Sequence, residues 1–121
     1  MAGDALRHSV TTGRFAGRVI VKAAGKIIAD SQAAIVMHES GYAPVYYVPR
    51  SDVRMDLLEP TGHTTRCPHK GTARYWTIKA GDRVIDNAVW GYDAPIAAVA
   101  DIKGRVAFYP DRVDAIEATG L

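Results

Sequence analysis

The densest run of chemically capable side chains is His63-Thr64-Thr65-Arg66-Cys67-Pro68-His69-Lys70-Gly71-Thr72-Ala73-Arg74-Tyr75-Trp76. It lies in a stretch, Gly62 to Ala80, that contains no carboxylate but carries His63, Arg66, His69, Lys70, Arg74 and Lys79. Cationic neighbours stabilise a thiolate, so Cys67 is a candidate nucleophile or redox centre, with Lys70 or His69 as the group that would activate it. Pro68 and Gly71 break the backbone, which puts Cys67 at a strand end or a turn, where a side chain can be presented. A lone thiol is more commonly a small buried hydrophobe, so catalytic assignment goes no further than the candidates Cys67, Lys70 and His69. His63, Cys67 and His69 match no familiar zinc spacing and lack an evident fourth ligand, so no metal and no other cofactor is expected. Lys70-Gly71-Thr72 looks like the end of a phosphate-binding loop, but the upstream glycines and the following long helix are missing.

A second polar cluster, Arg50, Asp52, Arg54, Asp56 and Glu59, mixes signs at the density of a solvated, self-neutralising face. The sequence has no serine nucleophile elbow, no dinucleotide fingerprint and no HExxH.

The elements that must position these residues read mostly as strands. Arg18 to Lys22 and Lys26 to Asp30 flank an Ala24-Gly25 turn and predict a hairpin. Ala34 to His38 is a further strand. Val45 to Val48, between Pro44 and Pro49, is a short aromatic strand that belongs between breaks or at an edge. Ser51-Asp52 predicts either one turn of helix through Leu58, stopped by Pro60, or a short strand from Val53. Ala73 to Lys79, the Gly81-Asp82 turn and Arg83 to Trp90 predict the clearest hairpin. A loop follows from Gly91 to Pro95, with one helical turn over Ile96 to Ala100. Arg105 to Tyr109 is the last strong strand, ended by Pro110. Residues 1–16 read as a loose N-terminal arm, and residues 17–121 as a single β domain.

Three strands carry adjacent aromatic pairs: Tyr46-Tyr47, Tyr75-Trp76 and Phe108-Tyr109. Neighbours on a strand point to opposite faces, so each strand places one large ring on each side of its sheet. Either the sheet is folded so that both faces meet apolar surface, or the tyrosines keep wet hydroxyls on an open face.

Composition bounds the rest. The chain has 121 residues, 48% hydrophobic and 23% charged, enough for one domain with a real core. Fifteen basic against thirteen acidic residues give a net charge of +2, too small to point to nucleic acid or an anionic membrane as partner. One cysteine excludes an internal disulfide and paired CxxC knuckles. Met1 to Val10 does not read as a secretory signal, and no run approaches a membrane span, so the cytoplasm is expected.

The segments Tyr46-Tyr47-Val48-Pro49-Arg50-Ser51-Asp52-Val53, Leu57-Leu58-Glu59-Pro60, Cys67 to Trp76 and Val106-Ala107-Phe108-Tyr109-Pro110-Asp111 together resemble a bacterial family, domain of unknown function 427. The resemblance runs from about Gly17 to Ala115. It implies a mainly β domain of the β-tent kind, with folded antiparallel sheets around a cleft and at most short helical turns. Other β-tent proteins hold zinc on cysteine knuckles or reduce methionine sulfoxide; this chain lacks the knuckles, and the metal is not carried over. Some members bear a nucleotidyltransferase label, but nothing here resembles that chemistry's glycine-serine loop and paired aspartates.

The function expected is a small-molecule-binding β module. Tyr75, Trp90 and Tyr92 would line its cleft; Arg50, Cys67 and Lys70 would edge it and orient an anionic or carbonyl group. Lys70 should point into that cleft, and Gly71 should take a positive φ as the chain turns into the next strand. The alternatives are an enzyme built on Cys67 and a protein-interaction domain pairing through the Val45 to Val48 edge.

Overall fold

The computed structural model describes residues 8–120. Ten strands form two antiparallel sheets: β1 (Val10–Arg14), β2 (Gly17–Ala23), β3 (Lys26–Ser31), β4 (Ile35–Glu39), β5 (Val45–Pro49), β6 (Leu58–Cys67), β7 (Gly71–Ala80), β8 (Arg83–Tyr92), β9 (Arg105–Phe108) and β10 (Ala115–Gly120). The larger sheet has seven strands in the order β1-β4-β5-β9-β8-β7-β6, and the smaller has three in the order β10-β2-β3. Three short 3-10 turns complete the chain, over Arg50–Asp52, Met55–Leu57 and Ala97–Ile102. The expected fold class, mainly β with folded antiparallel sheets in one domain, is what the chain adopts. No helix among the described residues is long and apolar enough to cross a membrane.

Both faces of the large sheet are covered, and the aromatic pairs are divided between them. Tyr46, Trp76 and Phe108 pack with Val19, Val21 and Ile28 of the small sheet. Tyr47, Tyr75 and Tyr109 sit on the other face with Trp90, Tyr92, Met37 and the 3-10 turn residues Val99 and Ile102. Strand alternation makes this division obligatory once the sheet has apolar matter on both sides. The second face is enclosed because the sheet curls. In a flat sheet β4 and β7 would stand four strand spacings apart, about 19 Å. Here Lys70, beside the start of β7, reaches Glu39 at the end of β4 with Nζ 2.6 Å from Oε1.

Several local expectations are corrected. Val10–Arg14, read as part of a loose arm, is a strand paired with β4 from Val10↔Glu39 to Arg14↔Ile35. Thr12 donates from Oγ1 to Asp101 at 2.7 Å, tying this strand to the 97–102 turn. Residues 1–7 of the expected arm lie outside the described residues. Over Ser51 to Leu58 the helical reading holds in 3-10 form, as two short turns rather than one, and no strand starts at Val53. Val45–Pro49 is not an edge: it pairs with β4 on one side and, through Val48↔Val106 and Pro49↔Arg105, with β9 on the other. The edge of the large sheet at that end is β1, and at the opposite end β6. β6 accommodates Pro60 because an edge strand needs no amide on its free side.

Candidate functional site

Two hairpins and one splayed strand pair build the region in which the candidate residues fall. β6 and β7 pair from Leu58↔Ile78 to Cys67↔Gly71, and Pro68 to Lys70 make the turn, closed by the Lys70 N–H donating to the Cys67 carbonyl at 3.1 Å. Gly71 has φ +122, a conformation that side chains rarely adopt, and the Ile96 N–H donates to the Lys70 carbonyl at 2.9 Å. The positive φ expected for Gly71 is therefore present, and the loop after β8 is docked against the same turn.

Tyr75, Tyr92 and Trp90 come together on the enclosed face, with Tyr47 and Tyr109 joining them. The rings are linked by their polar ends. Tyr75 shares one hydrogen bond with Thr65 Oγ1 at 2.9 Å and another with the Tyr109 hydroxyl at 3.2 Å; Trp90 Nε1 donates to the Tyr47 hydroxyl at 3.3 Å. Trp90 and Tyr109 pack with centroids 4.4 Å apart and planes tilted by 39°. Burial drives the tyrosines away from ionisation: Tyr47 is pushed up to about 12, and Tyr109 to about 12 with added help from its bond to Tyr75. Tyr92 is raised for the same reason, followed by the proximity of Tyr47 and Cys67. At neutral pH these hydroxyls are neutral hydrogen-bonding groups, not bases.

Lys70 lies on this side of the sheet, but not as a free cation. It is only 16% exposed and is held by Glu39, itself 15% exposed. Burial pushes the Glu39 carboxyl up, yet Lys70 and His8 (Nε2 2.9 Å away) outweigh it and keep the group below its ordinary value. Cys67 is the half-buried last residue of β6. His69 stacks on His8 with centroids 4.2 Å apart, and His63 packs edge-on to Tyr75. Of the expected set, Cys67, Lys70, Tyr75, Trp90 and Tyr92 thus share one face.

Arg50 does not. It stands over Trp76, 4.8 Å from the ring centroid, and donates from Nη2 to Asp93 at 2.7 Å. Trp76 belongs to the opposite face, so Arg50 cannot edge the tyrosine cluster. Strand alternation separates Tyr75 from Trp76, and Arg50 went with the wrong neighbour.

The enclosed face is filled by its own rings. The open space lies on its border, where β5 and β9 part. These strands pair at only two positions; by register Tyr47 would oppose Ala107 next and Tyr46 would oppose Phe108 after it, and neither pair is made. The opening leads to a pocket of about 220 Å³ between the sheets. Its walls are Pro44, Val45 and Tyr46 on one side, Phe108 and Pro110 on the other, Val19, Val21 and Ile116 from the small sheet, and Trp90. None of the described residues that line it is charged. The Tyr109 N–H bonds back to Ala88 on β8, so alternation along the strand turns the Phe108 N–H toward the gap. Sequence reasoning found Trp90 but missed the rest of this pocket, although Tyr46 and Phe108 were visible as the other halves of two aromatic pairs.

A family model described as a domain of unknown function (DUF427) matches residues 11–119. A comparison with curated proteins gave no match.

Proposed function

The chain belongs to the DUF427 family, whose function is unknown, and from that premise we propose that it is a small-molecule-binding module whose site is the pocket between the splayed β5 and β9 strands, beside Trp90. The observation that carries the reading is the uncharged, aromatic-walled pocket of about 220 Å³ at a break in strand pairing. Binding sites usually combine such walls with a few placed polar groups, in volumes of about 300–1,000 Å³. This pocket is below that range, which suits a single-ring ligand or one ring of a larger one. The Phe108 amide, turned to the gap, supplies a donor for a ligand carbonyl. Tyr46 and Trp90 supply ring faces.

The set of orienting groups differs from the one the sequence suggested. Lys70 is occupied by Glu39 and Arg50 by Asp93, so this pocket suits a neutral ligand with a carbonyl rather than an anion.

The test is a thermal-shift screen of nucleobases, amino-acid derivatives and cyclic imides. Hits are then followed through the indole N–H resonance of Trp90 in the labelled protein. The expected result is a compound that raises the melting temperature and shifts that resonance, with both effects lost in Ile116→Phe, which fills the pocket from the small sheet. Stabilising compounds that leave Trp90 unmoved, or a full library with no stabilisation, would overturn the proposal.

A further inference from the structure

On the face of the β6–β7 hairpin that carries Trp76, opposite Cys67 and Tyr75, cross-strand pairing brings two arginines and two threonines into one patch. The register pairs are Thr64↔Arg74 and Arg66↔Thr72, so the two arginines are diagonal neighbours, about 7–8 Å apart at the backbone. The four side chains line a groove of about 490 Å³ whose far wall is the loop Asp93 to Ile96. From these positions we infer that the groove is a binding site for the phosphate group of a small phosphorylated molecule.

The charge at the groove is unbalanced. Asp93 accepts from Arg50 Nη2 at 2.7 Å on one oxygen and from Arg74 Nη1 at 3.2 Å on the other, so both its oxygens are engaged. Arg66 has no ion-pair or side-chain hydrogen-bond partner among the described residues. The groove is therefore lined by two guanidiniums and one carboxylate, and that carboxylate is also bonded by Arg50. Like charges placed diagonally on a sheet repel, and a bound dianion would relieve that repulsion.

The donors suit phosphate. A guanidinium presents a planar fork that can bond two phosphate oxygens at once, and the Thr64 and Thr72 hydroxyls can donate to the others. Arg74 is held in place by the Trp76 ring, 4.6 Å away, as well as by Asp93. The far wall is fixed too: the Ile96 N–H bonds to Lys70, and a Cβ added at Gly71 would stand 3.2 Å from the Ala94 carbonyl. Ile96, 40% exposed at the rim, gives apolar surface for the organic part of a phosphomonoester. This site involves none of the residues of the pocket beside Trp90 and stands or falls separately from it.

The test uses the full chain, isotopically labelled, titrated with inorganic phosphate, with a ribonucleoside monophosphate and with a short single-stranded oligonucleotide at constant ionic strength. Inorganic phosphate and the monophosphate should both give saturable shifts in Thr64 to Arg66, Thr72 to Arg74 and the Asp93 to Ile96 loop, with the monophosphate tighter. Arg66→Gln, an exposed position, should leave the melting temperature unchanged and weaken both ligands about tenfold or more. Arg66→Lys should fall between, because it keeps the charge but loses the fork. The inference is overturned if chloride reproduces the shifts, if Arg66→Gln binds as tightly as the parent chain, or if only the oligonucleotide saturates.

Discussion

Replacing Lys70 by Met tests whether the large sheet curls as described. Read from sequence alone, Lys70→Met is nearly silent for stability, because it keeps the apolar stem and deletes only a charge. The ion pair with Glu39 reverses that expectation: the substitution strands a carboxylate that is only 15% exposed. Breaking a fully buried pair costs about 3–5 kcal/mol, and an exposed pair about 1 kcal/mol or less. A pair 16% and 15% exposed lies between, at about 2 kcal/mol. With an unfolding entropy of about 2.1 cal/mol/K per residue over 121 residues, that is about 8 °C of melting temperature. The pH dependence provides an internal check. The folded Glu39 carboxyl lies below its ordinary value of 4.5, so its stabilising contribution is full above that value and disappears as pH falls through the folded one. In Lys70→Met the carboxylate keeps its burial but loses its main partner, so acid relieves the variant. Urea melts at about pH 7 and about pH 3 should show the gap between parent and variant closing in acid. Glu39→Gln added to Lys70→Met should recover part of the loss. A gap absent at neutral pH, or unchanged in acid, would mean that Lys70 does not bridge the turn to β4.

Three further outcomes are expected. Gly71→Ala should lower stability by about 1–3 kcal/mol in a thermal melt, since its φ of +122 and the Ala94 carbonyl at 3.2 Å both oppose a side chain. In an ultraviolet titration of the six tyrosines, Tyr47, Tyr92 and Tyr109 should ionise above the ordinary tyrosine value of 10. Because their folded values are raised, stability should be full below about pH 10 and decline above it, and a single transition near that pH would contradict the buried cluster. Tyr75→Phe should cost about 1 kcal/mol by denaturant melt through loss of the hydroxyl shared by Thr65 and Tyr109, and the Tyr109 titration should move downward.

The strands that were legible in sequence are those with a local signal. The Ala24-Gly25 and Gly81-Asp82 turns between β-branched runs carry their own chemistry, and both hairpins form. β1, β6 and β10 were missed or misread because what makes them strands is a partner. Val10–Arg14 is polar and pairs with β4. Ala115–Gly120 has weak strand character and adds to the small sheet through β2. β6 opens with Glu59-Pro60-Thr61-Gly62, a poor strand sequence by propensity, yet β7 gives it a full-length ladder interrupted by one register shift. Long-range pairing of this kind leaves no periodicity to read. The aromatic pairs did leave one, and the first of their two readings, apolar surface on both faces, is the one found.

The run from His63 to Trp76 reads in sequence as one cluster, and that is where one-dimensional reasoning misleads most. A strand has two faces, and the ladder β6–β7 sorts the run residue by residue. Thr65 and Cys67 pair with Ala73 and Gly71 on the side of Tyr75, while Thr64 and Arg66 pair with Arg74 and Thr72 on the other. Arg66 and Arg74 therefore lie across the sheet from a thiolate at Cys67. Lys70, placed on the thiol's side by the turn, is neutralised by a carboxylate 31 positions away that no local pattern connects to it. Of the same basic stretch, Arg66 and Arg74 lie on the opposite face, where they flank a groove. Lys70 is paired with Glu39 on the thiol's side, whereas Arg66 has no side-chain partner among the described residues and lines the groove with Arg74, so the anion site inferred above falls on the back of the hairpin rather than beside the thiol.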